Sequence, residues 1–194
     1  AEETKVVSEL GNMSIVELLL QGKTTTPADL VKDLPGDNEA KAETIDNNLQ
    51  HEIVKKMSSN PVYYGKLSEM LKKIIMQRKV AAMSYQEYLK QVVEMAEAIL
   101  HPEDNGDYPD EVKNSAARRA LFDYFEEDLE LTVDVDGAIR IAIRPAWKKN
   151  RQKQQKIRLA IYEKLLLHSY SKDKAEEETN QVFDIAQRQE EYDA

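Results

Sequence analysis

The sequence predicts a mainly α-helical protein, a helical bundle with antiparallel helix hairpins. Apolar residues recur at offsets of three and four along most of the chain, and strong capping residues precede several of these runs. The six glycines and six prolines are scattered rather than clustered. Only 129–144 alternates apolar and polar residues, and a short β-hairpin is the alternative there. At 194 residues, the chain can form one domain or two small ones.

Three helices are predicted in the first part of the chain. Ser14 is placed to cap the first, which Gly22 would end. A cap followed by proline and a final Pro-Gly pair bound the second, over 26–36. The third spans about 39–57 because its apolar residues recur every four positions. These residues are Ile45, Leu49, Ile53 and Met57.

A long helix hairpin is predicted over 60–100. Asn60 followed by Pro61 is a cap with a helix-starting proline, and Ser84 with Glu87 forms a capping box. Pro102 ends the second helix. Because only a few residues separate the two helices, we expect them to pack antiparallel.

The polar, turn-rich segment HPEDNGDYPD at 101–110 predicts a domain boundary. It separates a helical domain, 1–103, from a mostly helical C-terminal subdomain, 108–194. Apart from the ambiguous run, the helices predicted in the second part span 111–125, 151–168 and 173 to about 192.

Residues 129–144 fit two structures. The apolar residues alternate with polar or small ones on both sides of Asp136-Gly137, which is typical of a hairpin with a two-residue turn. They are Leu129, Leu131, Val133, Val135, Ile139, Ile141 and Ile143. A single helix must accept Gly137 in its interior and several β-branched residues, all of which lower helix propensity.

The strongest charge feature is a basic stretch at 137–162, in a chain of net charge −9. It contains no Asp or Glu over 26 positions and holds the single tryptophan, Trp147. Its cations could neutralise phosphates, face an acidic protein, or form a solvated helix face. The candidate contacts for DNA or a partner are Arg140, Arg144, Lys148, Lys149, Arg151, Lys153, Lys156 and Arg158.

No motif predicts a catalytic, cofactor or metal site. The sequence at Gly22-Lys23-Thr24 resembles the end of a phosphate-binding loop, but Glu17 stands where the first glycine is required. The segment PDEVK at 109–113 has nuclease-like residues, but they are contiguous at a helix start and would diverge. The three histidines are isolated, without metal-ligand spacing. They are His51, His101 and His168.

Composition indicates the cellular setting. The chain has no cysteine, which fits a reducing cytoplasm, and no apolar run approaches the ~18 residues of a membrane span. Its start lacks a signal-peptide pattern and a Met. We therefore expect a cytoplasmic protein that does not enter a membrane, and a fragment of a longer chain.

Several short motifs occur in order along 13–192. They include MSIVELLLQG at 13–22 followed by the 29–36 segment, AETIDNN at 42–48, NPVYY at 60–64 and SYQEYL at 84–89. Further pieces are Tyr108-Pro109, RALFD at 119–123, Trp147, KIR at 156–158 and Tyr192. Together they resemble the C-terminal part of the motor and nuclease subunit (R, or HsdR) of type I restriction enzymes.

The resemblance implies a parent with a nuclease domain and two helicase-type ATPase lobes, which translocates DNA using ATP and Mg²⁺ and assembles with modification (M) and specificity (S) subunits. The parent resembles a type I site-specific deoxyribonuclease, but none of its nuclease or ATPase motifs lies in this chain. The chain would then be a non-catalytic assembly and DNA-contact region with no cofactor of its own. The resemblance also favours a helix at 129–144, which we expect. The alternative function is a stand-alone helical nucleic-acid-binding protein.

Overall fold

The computed structural model describes residues 15–20, 31–32 and 34–193. Over these residues the protein is mainly α-helical and contains no β-strand, which confirms the predicted fold class. The helices are α1 (Ile15–Leu20), α2 (Asn38–Lys56), α3 (Pro61–Lys79), α4 (Tyr85–Leu100), α5 (Pro102–Asn105), α6 (Asp110–Lys113), α7 (Ala116–Tyr124), α8 (Leu129–Ala142), α9 (Arg151–Leu167) and α10 (Lys172–Gln187). Two 3-10 turns span Trp147–Lys149 and Glu190–Tyr192.

Some predicted features fall outside the described residues. These are the cap at Ser14, the stop at Gly22 and most of the helix predicted over 26–36. Among the described helices, none has both the length and the apolarity needed to cross a lipid bilayer.

The chain divides into two compact units. Unit 1 contains the described residues of 15–56 together with 64–106, and unit 2 contains 57–63 together with 107–193. The chain passes from unit 1 to unit 2 within the polar segment 101–110. The short segment 57–63, which includes the first turn of α3, belongs to unit 2 although it is far from the rest of that unit in sequence.

In unit 1, α3 and α4 form the predicted antiparallel hairpin. The hydroxyl of Tyr64, near the start of α3, donates to the carbonyl of Ile99, near the end of α4, at 3.4 Å. At the opposite end, the guanidinium of Arg78 lies 5.3 Å from the ring centroid of Tyr88. Since the beginning of each helix is near the end of the other, the two run in opposite directions.

Side-chain caps start both of these helices, as predicted. The side-chain oxygen of Asn60 accepts from the backbone N–H of Tyr63 at 3.1 Å. The hydroxyl of Ser84 accepts from the backbone N–H of Glu87 at 3.1 Å. Each bond satisfies a donor that the first turn of a helix leaves without an intrahelical partner.

The β-hairpin considered for 129–144 is wrong, because the segment is the single helix α8. Asp128 caps it by accepting from the backbone N–H of Leu131 at 3.0 Å. Leu131, Val135 and Ile139 are buried, so the alternating run also contains an apolar stripe with one residue every four positions. A Cβ built at Gly137 would contact nothing within 4 Å, so the packing around this position does not require a glycine.

Two other helix predictions need correction. The helix predicted over 111–125 is two helices, α6 and α7, because Ser115 starts a new one by accepting from the backbone N–H of Arg118. The last helix starts at Lys172 rather than Asp173, since Ser171 is its cap. In both cases a serine just before the helix satisfies the first turn.

The core of unit 2 is built by α7 to α10 and the C-terminal 3-10 turn. The indole of Trp147 packs edge-on against Phe183, with 5.9 Å between ring centroids, and its Nε1 donates to the carbonyl of Tyr192 at 2.7 Å. Helix α9 contributes Ile157, Ile161 and Leu165, all fully buried. The basic stretch is therefore anchored to the core by its apolar residues.

Candidate functional site

A shallow, open groove in unit 2 is formed by the Trp147–Lys149 turn, α9 and α10. The helix α9 starts there because the side chain of Asn150 accepts from the backbone N–H of Lys153 at 3.1 Å. The groove has a volume of about 600 Å³. Its lining is basic and rich in amides and consists of Lys148, Lys149, Arg151, Gln154, Gln155, Arg158 and Asn180.

A second depression of about 440 Å³ continues the groove along the same two helices. It shares three lining residues with the first and adds an apolar wall and one carboxylate. The shared residues are Gln155, Arg158 and Asn180, and the added ones are Leu159, Tyr162, Glu176 and Thr179. We call the two depressions together the α9–α10 groove.

Four of the eight predicted contact residues line this groove. Lys149 and Arg151 are exposed, and neither side chain forms a hydrogen bond or ion pair with any other described residue. Arg158 is held in place: its Nη1 donates to Oδ1 of Asn180 at 2.5 Å, and its guanidinium lies 3.8 Å from the ring centroid of Phe183. Of these three groove cations, two have no partner among the described residues and one is fixed.

Lys148, the fourth groove residue, is partly used by the fold. Its Nζ donates to the carbonyl of Gln189 at 3.0 Å and forms an ion pair with Asp193. The ammonium also lies 5.8 Å from the ring centroid of Trp147. These contacts attach the C-terminal residues to the Trp147–Lys149 turn. Because Asp193 already balances its charge, Lys148 should attract an anionic ligand less strongly than Lys149 and Arg151 do.

Arg140 lies outside the groove, in a cluster around the buried side chain of Asp136. The side chain of Asp136 is fully buried and accepts from Nε of Arg140 at 2.8 Å, Nε of Arg118 at 2.7 Å and the hydroxyl of Tyr192 at 2.7 Å. Arg140 also donates to Glu191 at 2.9 Å. Its charge is therefore balanced by two carboxylates of the protein, although the side chain itself is 40% exposed.

Burial and the neighbouring charges shift the pKa values of the residues in this cluster. Burial alone would raise the pKa of Asp136, but hydrogen bonds from Arg140, Arg118 and Tyr192 outweigh it and hold that pKa below its ordinary value. Burial raises the pKa of Tyr192, and the neighbouring Asp136 carboxylate raises it further. Asp136 is thus ionised and Tyr192 is a neutral hydrogen-bond donor at neutral pH.

The other predicted contact residues have different surroundings. Arg144 donates to the carbonyls of Ile141 and Ile143 at the end of α8, at 2.7 and 2.6 Å, where a cation stabilises a helix terminus. Lys153 donates to the carbonyl of Pro145 at 2.6 Å. Lys156 is exposed on α9 but does not line the groove.

The groove can bind an anionic ligand without any covalent chemistry. Its cations supply charge, and the side-chain amide of Gln155 can donate and accept hydrogen bonds. The amide of Asn180 already accepts from Arg158 and donates to the carbonyl of Glu176. The prediction from sequence missed the neutral lining residues. Those on α9 had a signal, because Arg151, Gln155, Arg158 and Tyr162 are spaced four, three and four apart and share one helix face. Asn180 had none, since it comes from another helix.

In the part of the chain that the structure describes, no group of three or more His, Asp or Glu side chains could hold a metal ion. The fold and the groove define an α-helical protein with a cation-lined surface groove. No family model, curated protein or solved structure matches the chain.

Proposed function

We propose that this chain is a non-catalytic assembly and DNA-contact region of a type I restriction R subunit. Its parent would be an ATP- and Mg²⁺-dependent DNA translocase and endonuclease that assembles with M and S subunits. In this role the α9–α10 groove contacts a negatively charged partner within the assembled enzyme.

The observation that carries the proposal is the unpaired charge of the groove. Lys149 and Arg151 stand next to the fixed guanidinium of Arg158, and none of the described residues that line the first depression carries a carboxylate. In a chain of net charge −9, a cluster of cations without counter-charges lowers the cost of bringing an anionic partner close. The choice of family is supported by the short motifs that follow one another in the family's order between residues 13 and 192.

The proposal is tested by reversing charge in the groove of the complete R subunit. Lys149→Glu with Arg151→Glu should weaken assembly with the M and S subunits or retention on DNA by about tenfold or more, since like charges then face the partner. Assembly is measured by analytical ultracentrifugation, and DNA retention by fluorescence anisotropy at two salt concentrations.

The matched control is Lys66→Glu with Lys73→Glu, which makes the same charge change on exposed positions of α3 in unit 1. Unchanged assembly and unchanged DNA retention in the groove variant would overturn the proposal. Tight, salt-sensitive DNA binding by the 194-residue chain without any other subunit would instead favour the stand-alone nucleic-acid-binding protein.

A further inference from the structure

We infer that the α9–α10 groove receives an acidic amphipathic segment of a protein partner rather than a nucleic acid strand. The inference rests on the proposed function, because it names the kind of partner that the same groove would take. Three features of the groove point to a protein segment: the order of its charges, its apolar wall and its fixed arginine.

Charge changes sign along the groove. Lys149 and Arg151 stand at one end, and Glu176 lines the other. A nucleic acid backbone carries one negative charge at every nucleotide, so a strand that follows the whole groove would bring a phosphate against Glu176. A protein segment can place carboxylates at the basic end and a neutral or basic residue opposite Glu176. The charge order therefore favours a protein.

The middle of the groove has an apolar wall. The side chain of Leu159 is 55% exposed, and Tyr162 beside it is half-buried. Covering apolar surface is favourable when the ligand brings apolar surface of its own, which the backbone of a DNA duplex does not. An amphipathic helix that lies in a groove provides such surface at positions three and four apart. The bases of a single strand could stack on Tyr162, so against a single strand the argument is the order of charges.

Arg158 is oriented at the junction of the basic and apolar parts. The contact with Phe183 and the bond to Asn180 fix its guanidinium, which reduces the conformational entropy lost when a ligand binds. A planar guanidinium can bind a carboxylate through two parallel hydrogen bonds. A glutamate or aspartate of the partner therefore fits next to Leu159.

The length of the groove sets the length of the segment. Arg151 and Tyr162 both line the groove and both belong to α9. At 1.5 Å per residue they are roughly 16 Å apart along the helix axis, which corresponds to about three helical turns of a partner. The occupant is thus a short helix with acidic residues at one end, apolar residues in the centre and a basic residue at the other end.

The experiment measures binding of defined probes to the complete 194-residue chain by fluorescence anisotropy. The first probe is a labelled synthetic helical peptide with the charge order just described, and the second is a peptide of the same composition in which the acidic, apolar and basic residues are mixed along the whole length. The third and fourth are a labelled single-stranded and a labelled duplex DNA of similar length.

Two matched pairs of variants separate the contributions. Leu159→Ser changes the apolar wall, and Leu167→Ser is its control at a 74% exposed position of the same helix outside the groove. Arg151→Glu changes the basic end, and Lys73→Glu is its control in unit 1. All four side chains are exposed, so none of these substitutions should unfold the protein.

We expect the ordered peptide to bind more tightly than its mixed-order form and than either DNA. Leu159→Ser should weaken peptide binding by about fivefold, and Arg151→Glu by about tenfold. The two controls should leave peptide binding unchanged.

DNA binding that responds to Arg151→Glu but not to Leu159→Ser, without peptide binding, would overturn the inference and leave the proposed function standing. Equal binding of the ordered peptide and its mixed-order form would also overturn it, because the charge order would then play no part. If no probe binds, the inference fails, while the proposed function is still decided by the assembly measurement on the R subunit.

Discussion

Both units contain a buried aspartate that binds an arginine and a tyrosine. In unit 1, Asp46 accepts from Nη2 of Arg78 at 2.7 Å and from the hydroxyl of Tyr88 at 2.8 Å. In unit 2, Asp136 accepts from Tyr192 and from two arginines, Arg118 and Arg140. In each unit a guanidinium also lies over the tyrosine ring, 5.3 Å from Tyr88 and 5.2 Å from Tyr192.

The difference lies in how many cations depend on the aspartate. Asp46 neutralises one arginine, and that arginine also has Glu39 as a partner. Asp136 neutralises two, and among the described residues Arg140 has a second carboxylate, that of Glu191, whereas Arg118 has none. The side chains of Arg118 and Arg140 are 30% and 40% exposed, so water compensates part of their charge when the aspartate is lost. Asp136 nevertheless accepts from three side chains and Asp46 from two, so loss of Asp136 breaks more hydrogen bonds. Unit 2 should therefore be the more sensitive of the two to loss of its aspartate.

The largest effect is expected from Asp136→Ala. It removes the acceptor of three side-chain donors, and water reaches the partly exposed Arg118 and Arg140, so we expect unit 2 to lose about 3 kcal/mol of unfolding free energy. Urea unfolding measures this loss when it is followed by the fluorescence of Trp147, because this single tryptophan of the chain belongs to unit 2. The comparison variant Asp46→Ala leaves Arg78 with Glu39 and should cost about 2 kcal/mol. Equal losses for the two variants would contradict the comparison.

The second prediction concerns pH. The folded-state pKa of Asp136 lies below its ordinary value of 3.8, so the stability that the ionised carboxylate contributes is present above that pH. It is lost as pH falls below 3.8 toward the folded-state pKa. The urea midpoint of unit 2 should therefore fall in this acid range, with a contribution of the same sign from Glu191, whose pKa is also lowered.

The control is Asp136→Asn, which cannot titrate at this position. Its urea midpoint should fall less steeply below pH 3.8 than that of the wild-type chain. If both chains show the same acid slope, the titration of Asp136 is not linked to the stability of unit 2.

The smallest effects should come from the tyrosine hydroxyls, and here the order of the units reverses. Tyr192→Phe leaves Asp136 with both arginines and should cost about 1 kcal/mol. Tyr88→Phe leaves Asp46 with Arg78 as its one remaining side-chain donor among the described residues, so about 2 kcal/mol is expected. Amide hydrogen exchange, read separately for each unit, measures both. A larger loss in unit 2 would show that the number of arginines does not control the effect.

Helix starts were predictable because their causes are local. Asn60 and Ser84 cap helices through bonds that reach only three residues along the chain. The structure of 129–144 was harder to predict, because Leu131, Val135 and Ile139 belong both to an alternating pattern and to a spacing of four. The bonds that hold this helix in place come from Arg118 and Tyr192, which are distant in sequence.

The candidate site was predictable only to the extent that local sequence determines it. The basic stretch is visible in sequence, but which of its cations are internally paired is not. Arg140 pairs with Glu191 and Lys148 with Asp193, and both carboxylates follow more than 40 residues later. Arg151 has no such partner among the described residues and faces the groove. Charge composition thus locates a surface, whereas tertiary contacts decide which charges remain available.

The assignment of 57–63 to unit 2 limits where the chain can be cut. The side-chain amide of Asn60 donates to Asp123 at 2.6 Å, and Gln189 donates to the carbonyl of Ser59 at 2.7 Å. A fragment excised at residue 107 would lose both partners and leave Asp123 with Tyr108. Proteolytic separation of the two units should therefore yield a C-terminal piece that is less stable than the same unit in the intact chain. Each unit is compact in space, but unit 2 is not a module that a single cut can release.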